Sequence, residues 1–549
     1  MDILILLSFY LLIFFSIIGF GNLTLIFFKN SNSLSDLGFR GILTLILISY
    51  ITNFFFPHSY THNVILLLIG LISFIFLILK TRFEKKIIYL SSIMIVILFV
   101  GLLMYKNHDD FFYYHFQYTV SLISSKKIIG LGLLEHGFRT PSSLFYLNSL
   151  FYLPLVDYYL LNLGAIFIMG FSNIFFFEKI FFYLDKKKTD FILFLSLVSL
   201  ILINTAFYRI AEHGTDRSAL ILIFVFVVNY LESLKFRSNL SIVGFNKYFE
   251  RMLILLTIII SLKSFYVIYI AVFIAWILNY KFIFKKISIT KNIFKNYSTY
   301  FFILGLFIFT LTVFLNTGCL IYPASFTCLP GLEWGIPLEQ VSQMKSWYSL
   351  WAKAGANPDY RVANPELYLS NFNWIENWFK TYFFTKVTDF LLVVLVITAL
   401  CFFLLKKDGS KKIEKNQYKY IYFIIFLLTI EWFINHPALR YGGYSLISLL
   451  IFLPLCNYLS LNSTYSYVFK KKVFLLILFC FVIFTSKNFI RINQEMTKYG
   501  YDPLRNPYYN IINDGFYFEK KISEINKMVD KKDKKYYLIL TQDLINQKN

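Results

Sequence analysis

The chain has 549 residues, 58% of them hydrophobic and only 15% charged, whereas a soluble globular domain runs at roughly 45–50% apolar and about 25% charged. Single cores stop growing at about 250–300 residues, so one compact soluble interior is excluded, as are a disulfide scaffold, a disordered chain and a coiled coil. The net charge of +22 (53 Lys and Arg against 31 Asp and Glu) falls in short basic clusters between apolar runs, which is the positive-inside pattern of a helical membrane protein and not a nucleic-acid footprint.

Crossing about 30 Å of hydrocarbon takes roughly 17–25 helical residues. In chain order the candidate runs are 3–28, 41–56, 63–80, 87–104, 158–183, 190–208, 217–234, 252–264, 265–280, 300–315, 388–405, 419–434, 441–459 and 472–486. The first has no Lys or Arg before Lys29 and no small-residue cleavage site, so it reads as an anchor and not as a signal peptide. The expected fold class is therefore an all-α polytopic membrane protein with about 13–14 transmembrane helices.

The stretch 252–280 decides the topology. It is either one long helix with Lys263 buried near mid-depth or two short helices with Lys263 at their junction. With two helices, every basic set falls on one side: Arg82/Lys85/Lys86, Lys186–Lys188, Lys235/Arg237/Lys247/Arg251, the lysines of 281–299 and of 406–419, and Lys470–Lys472. The positive-inside rule favours that split. Both termini then lie outside, together with 105–157, 209–216, 316–387 and 435–440. Within 105–157, the apolar stretch Leu144–Leu155 reads as a short interfacial helix. The polar tail 487–549, with a basic run Lys531–Lys535 and a strand-like Tyr536–Leu540, reads as a small extracytoplasmic C-terminal domain. No internal repeat is visible. Cys401, Cys456 and Cys480 sit in apolar runs as inert core residues, while Cys319 and Cys328, nine apart in an outer loop, are a disulfide candidate in an oxidising compartment.

Ionisable residues in or beside a membrane are costly and mark function, and here the unusual ones gather in the outer segments. Directly after a span comes Asn107-His108-Asp109-Asp110-Phe-Phe-Tyr-Tyr-His115. Two adjacent carboxylates near low-dielectric lipid suit a general base, while a helix N-cap is the plain alternative. His115 either orients a carboxylate, binds substrate or packs. Further on, Glu135-His136-Gly-Phe-Arg139 offers His136 and Arg139 to an anionic or hydroxyl-rich ligand, or a Glu135–Arg139 ion pair at helical spacing. Arg209, His213 and Arg217 are candidates for phosphate or sugar contacts, with Asp216 beside them suited to cap the next span. The segment Asn435-His436-Pro-Ala-Leu-Arg440-Tyr441 opens another helix. Arg440 there opposes the helix dipole and calls for an anionic partner. Lys263 and Arg440 could hold a lipid phosphate by charge-assisted hydrogen bonds while an aspartate deprotonates an acceptor hydroxyl. That chemistry is glycosyl transfer, and it requires neither metal nor cofactor.

At these residues the chain resembles the GT-C superfamily of integral-membrane glycosyltransferases. The acidic pair Asp109-Asp110 in the first large outer loop, the run DDFFYYHFQY…GLGLLEHGFRTPSSLFYLNSLFYLP, the Lys of SLKSFY between two short helices, and LRYGGYSLISLLIFLP opening a late helix carry the likeness. The resemblance spans roughly 87–486, with 1–86 as extra N-terminal helices and 487–549 as the small outer domain. The chain departs from many members in placing three spans before the span that leads into the acidic loop, and it lacks a placeable acidic metal-ligand set. The resemblance implies an inverting glycosyltransferase of a bacterial inner membrane, acting on the extracytoplasmic face. It would transfer a sugar from a polyprenyl-phosphate carrier to a surface glycan or lipid acceptor. Asp109 or Asp110 is then the base, and Lys263 and Arg440 hold the phosphate, with His115, Arg139, Arg209, His213, Arg217, His436 and Tyr441 as further substrate contacts. Trp334, Trp347, Trp351, Trp374 and Trp378 either stack on sugar rings or form an interfacial belt. An O-antigen-type polymerase, a lipid-linked glycan flippase or transporter, and a non-catalytic scaffold are the competing readings.

Overall fold

Each apolar run of the sequence coincides with a helix in the computed structural model, which describes residues 2–28, 33–81, 83–212, 214–235, 242–283, 294–356, 362, 364–406 and 418–511. The helices are α1 Asp2–Leu23, α2 Leu34–Asn53, α3 Tyr60–Lys80, α4 Lys85–Val100, α5 Phe116–Ser124, α6 Ser143–Ser149, α7 Leu163–Asp185, α8 Phe191–Ala206, α9 Gly214–Lys235, α10 Ile242–Leu262, α11 Ile270–Ile283, α12 Tyr297–Thr317, α13 Leu338–Lys353, α14 Thr388–Leu405, α15 Lys419–Asn435, α16 Gly443–Asn462 and α17 Tyr467–Tyr499, besides shorter turns. Among the described residues there is no strand, only two isolated bridges, and nine helices are long and apolar enough to cross a membrane. The chain is a helical multi-pass membrane protein.

The split at 252–280 is present. α10 stops at Leu262, Lys263 is extended (φ −159°, ψ 122°), a tight turn covers Ser264–Tyr269, and α11 follows. Trp276 of α11 stacks on Phe245 at the start of α10, with ring centroids 5.2 Å apart, and donates to Ser233 Oγ at the end of α9 (2.7 Å). Helices α10 and α11 therefore run antiparallel, and Lys263 sits at the end shared by the start of α9.

Two helices begin a full turn or more earlier than hydropathy alone suggests. α2 starts at Leu34, capped by Ser33, and α10 at Ile242. The turns added to them carry Asp36, Arg40, Glu250 and Arg251, which pair with each other across the bundle as Asp36–Arg251 and Arg40–Glu250 with side chains 8% exposed or less. Charge that looks like loop in one segment is neutralised by the other, since a buried charge is tolerable only when paired. Close backbone packing seals the N-terminal helices: a Cβ on Gly19 of α1 would lie 1.8 Å from the Gly70 carbonyl oxygen of α3, the small-residue contact that membrane helices use where side chains would hold them apart.

Several expectations are corrected. The segment expected as an interfacial helix is shorter, Ser143–Ser149, and every residue of it is buried; Ser143 Oγ accepts from Ser261 Oγ of α10 (3.0 Å), and Asn148 Oδ1 accepts from the Gly164 amide opening α7 (2.9 Å). The boundary at 487 is absent, because α17 continues to Tyr499 and residues up to 511 fold back on the bundle, where Tyr159 stacks on Tyr508 at 4.2 Å. The remainder of the expected C-terminal domain, 512–549 with Lys531–Lys535 and Tyr536–Leu540, lies outside the described residues, as do most of the basic sets at 281–299 and 406–419. The Cys319–Cys328 disulfide is formed, and Cys401, Cys456 and Cys480 are buried and free.

Lys127 follows α5 and is buried, its Nζ donating to Asn316 Oδ1 (2.8 Å) and Tyr146 Oη (3.2 Å), with no carboxylate within 4.0 Å among the described residues. Burial pushes its ammonium down to about 7, from an ordinary 10.5. The unfolded chain then holds the extra proton between those two values, so folding stability should rise with pH across that window and be lowest below about pH 7. In thermal melts of the chain in detergent, the wild type should gain more on going from pH 7 to pH 9 than Lys127→Met does; equal gains would contradict the assignment.

Candidate functional site

At one end of the bundle, chain breaks between helices bring four charged side chains together. After α4 ends at Val100 the chain has no helix until Asp109 and Asp110, where the Asp110 amide donates to His108 Nδ1 (3.1 Å) before a turn of π-helix, Phe111–His115, leads into α5. Asp110 makes no capping bond to that turn, so the N-cap alternative is not realised, and its carboxylate is one-third exposed. The two neighbouring acids part company here. Asp109 is 90% exposed and lies 3.8 Å from Lys106, facing away, while Asp110 Oδ2 lies 3.6 Å from Arg440 Nη2 and 3.7 Å from His108 Nδ1.

Arg440 sits in a tight turn, Leu439–Tyr441, that ends at Gly442 with φ +120°. Only glycine takes that conformation without strain, and it lets the chain swing from the turn into α16. Arg440 Nε donates to Asp216 Oδ2 (2.7 Å), and Lys263 Nζ is bonded to Asp216 Oδ1. Asp216, in the first turn of α9 and 9% exposed, thus divides its two oxygens between two cations. The Lys263 side chain remains 24% exposed and that of Arg440 34%, so the carboxylate does not seal either of them off. Burial pulls the Lys263 ammonium below the usual lysine range against Asp216. For Arg440 burial opposes the charge as well, but Asp216, Tyr441, Tyr114 and Asp110 outweigh it and raise its pKa. Two carboxylates and two cations make the quartet formally neutral.

Aromatic rings frame it. Lys263 Nζ lies 4.9 Å from the Tyr441 ring centroid, and the Arg440 guanidinium 5.5 Å from that of Trp351 on α13, contacts that favour cations. Tyr266 Oη donates to the Arg440 carbonyl (3.1 Å) and pins the turn. Tyr114, one turn beyond Asp110, is pressed against Gly137; burial and then the charge of Asp110 push its phenol up, so it stays a hydrogen-bond donor.

The other expected contacts divide. Tyr441 belongs to the site. His115 packs between Tyr114 and Phe145, with centroids 4.3 and 4.9 Å away, and burial pushes it down to about 4. His436 packs edge-on to Phe265 and Tyr441 and is likewise held near 4, by burial and then by Lys353 and Lys263. Both are neutral at pH 7 and offer an anion no charge. Arg139 does not pair with Glu135; it donates to the Gly132 carbonyl (3.0 Å), Tyr322 Oη (3.4 Å) and Gln340 Oε1 (3.3 Å), while Glu135 holds His136 Nδ1 (2.8 Å). Arg209 is committed to Glu212, its Nε 2.7 Å from Oε1. Arg217 lies over the Phe207 ring at 5.8 Å, and His213 lies outside the described residues. Trp374 and Trp378 are buried to within 2%, and Trp378 Nε1 is bonded to the Pro437 carbonyl, so neither can stack on a ligand; Trp351 can. No cluster of three or more metal-ligating side chains occurs among the described residues.

Asp216 was legible only as a helix cap. The signal that could have found it is an acid at the start of a span facing two cations that had no assigned counter-ion.

Residues 1–447 match the model of a family described as a domain of unknown function, DUF8201, and the chain belongs to that family. No curated protein and no solved structure matches it.

Proposed function

We propose that this member of the DUF8201 family is an inverting, GT-C-like glycosyltransferase of a bacterial inner membrane, working at the extracytoplasmic face with a polyprenyl-phosphate sugar as donor and a surface glycan or lipid as acceptor. The observation that carries the reading is Asp110 beside Arg440, with Lys263 and Arg440 joined through Asp216, all at the bundle end opposite Lys186–Lys188, Lys235 and Lys470–Lys472. Positive residues gather on the cytoplasmic side, and this distribution supports reading the quartet as lying outside.

The site's chemistry follows from its charges. The donor phosphodiester carries one negative charge and would be met by Lys263 and Arg440 at the depth where lipid phosphates lie. An acceptor hydroxyl attacks the anomeric carbon from the side opposite the phosphate; the new C–O bond forms as the bond to the phosphate oxygen breaks, and the hydroxyl proton passes to Asp110. One negative charge thus leaves Asp110 while one appears on the departing phosphate. Arg440 touches Asp110 and Asp216 at once, so it can follow that shift without crossing a hydrophobic barrier. Cations already aimed at the place where charge develops lower the barrier without reorganisation.

Extracytoplasmic glycans profiled in a deletion strain complemented with Lys263→Met or Arg440→Gln test the reading. A specific sugar should be lost at least about 100-fold, the cost of removing a preorganised charge partner, with membrane insertion unchanged. Wild-type glycan from both variants would contradict it.

A further inference from the structure

The C-terminal helix α17 lies wholly beyond the family match, which ends at residue 447. At about 1.5 Å per residue it is far longer than a bilayer core, and its outer half touches both segments that carry the site's carboxylates. Lys487 Nζ donates to the Thr205 carbonyl (3.1 Å) and Asn488 Nδ2 to that of Tyr208 (3.4 Å). Glu495 Oε2 accepts from the Tyr105 amide (2.8 Å), and Tyr499 stacks on Tyr105 at 5.0 Å. One residue reaches both segments at once: Arg491 donates from Nη1 to Glu212 Oε1 (2.9 Å) and from Nη2 to the Leu103 carbonyl (2.6 Å).

We propose that Arg491 is a positioning residue that sets Asp110 relative to Asp216 by bridging the chain just before each of them. Leu103 lies shortly ahead of Asp110 on an irregular stretch, and Glu212 one turn ahead of Asp216. Leu103 and Glu212 both lie outside the regular helices. Beside Glu212 lies a small cavity lined by Phe111, His115, Asn148, Asn162 and Gly214 among others, and the apolar residues of each stretch, Leu102 to Met104 in one and Phe207, Ile210 and Ala211 in the other, pack into the core, so the polar bridge is added to that packing. The Glu212 carboxylate is fully buried and Arg491 is 9% exposed, which makes the bridge rigid. A planar guanidinium serves two acceptors in a fixed fork, whereas an ammonium on a flexible stem cannot hold both in one geometry. The catalytic consequence rests on the transferase reading; the bridge itself does not.

The test uses the full chain in nanodiscs, as wild type, Arg491→Lys, Arg491→Gln and the control Lys498→Gln, an exposed position on the same helix. Hydrogen exchange is read for peptides over 102–112 and 205–216, binding is read with farnesyl phosphate, and glycan output is read in the complemented strain. Arg491→Gln should raise exchange in both segments together and leave farnesyl phosphate affinity within about threefold, while lowering glycan output about 10–100-fold, as a misplacement near 1 Å does. Arg491→Lys should fall between, and the control should match wild type. Faster exchange in one segment only, or in neither, overturns the proposal. So does a parallel loss of farnesyl phosphate binding and of protection in α1–α3, which would mark general structural support. If Asp110→Asn leaves the glycan intact while Arg491→Gln still loosens both segments, the transferase reading fails and the bridge stands.

Discussion

Asp110→Asn is expected to lower glycan formation by about 10²–10⁴-fold, the usual cost of removing a general base, whereas Asp109→Asn should stay within about threefold of wild type, as a surface substitution does. The two residues are adjacent and chemically identical, so only geometry separates them. Asp110 lies 3.6 Å from the guanidinium that would meet the donor phosphate, while Asp109 projects into solvent beside Lys106. Asn keeps the size and the hydrogen-bonding oxygen but cannot accept the proton. The comparison is read by glycan profiling with insertion checked in parallel. The reverse order, with Asp109→Asn inactive and Asp110→Asn active, would remove Asp110 from the mechanism.

Asp216→Ala should destabilise the chain by about 2–3 kcal/mol, at or below the low end of what leaving a buried charge unpaired costs, because Lys263 and Arg440 are partly exposed and solvent screens them. The loss is not confined to one bond, since a single carboxylate holds both cations. Their mutual repulsion would then be relieved by any anion that binds between them. Farnesyl phosphate should therefore raise the melting temperature of Asp216→Ala by more than it raises that of wild type, even though transfer activity falls. Adding Lys263→Met to Asp216→Ala should recover most of the stability and abolish that extra response. A melting temperature insensitive to Asp216→Ala, or an equal response to farnesyl phosphate in both chains, would show that Asp216 is not the hub of the quartet.

Hydropathy located the helices because burial in lipid requires long apolar runs, and the positive-inside rule resolved the hairpin at Lys263, where the helix does break. It missed the first turns of α2 and α10 for one shared reason. Asp36 and Arg40 are unfavourable in a membrane until Arg251 and Glu250 arrive beside them, and no local window contains both partners. The extension of α17 was hidden in the same way, since Arg491 and Glu495 are satisfied by Glu212 and by the backbone of 103–105. Within the site, residue type and depth singled out Asp110, Lys263, Arg440 and Tyr441. Choosing between Asp109 and Asp110 required the rotation of a short turn, and recognising Asp216 required knowing what its carboxylate touches. His115 and His436 looked like ligand contacts because histidine is polar, but packing against aromatic rings leaves them neutral.

The most direct test is purified full-length chain in proteoliposomes, given a polyprenyl-phosphate sugar labelled in both the sugar and the lipid, with a membrane extract as acceptor source. The account predicts that the two labels separate, with sugar moving to the acceptor with inverted anomeric configuration and polyprenyl phosphate released, and that Asp110→Asn stops the separation. If instead the doubly labelled donor crosses to the other leaflet intact, the chain moves lipid-linked sugars without cleaving them, and the transferase reading is contradicted.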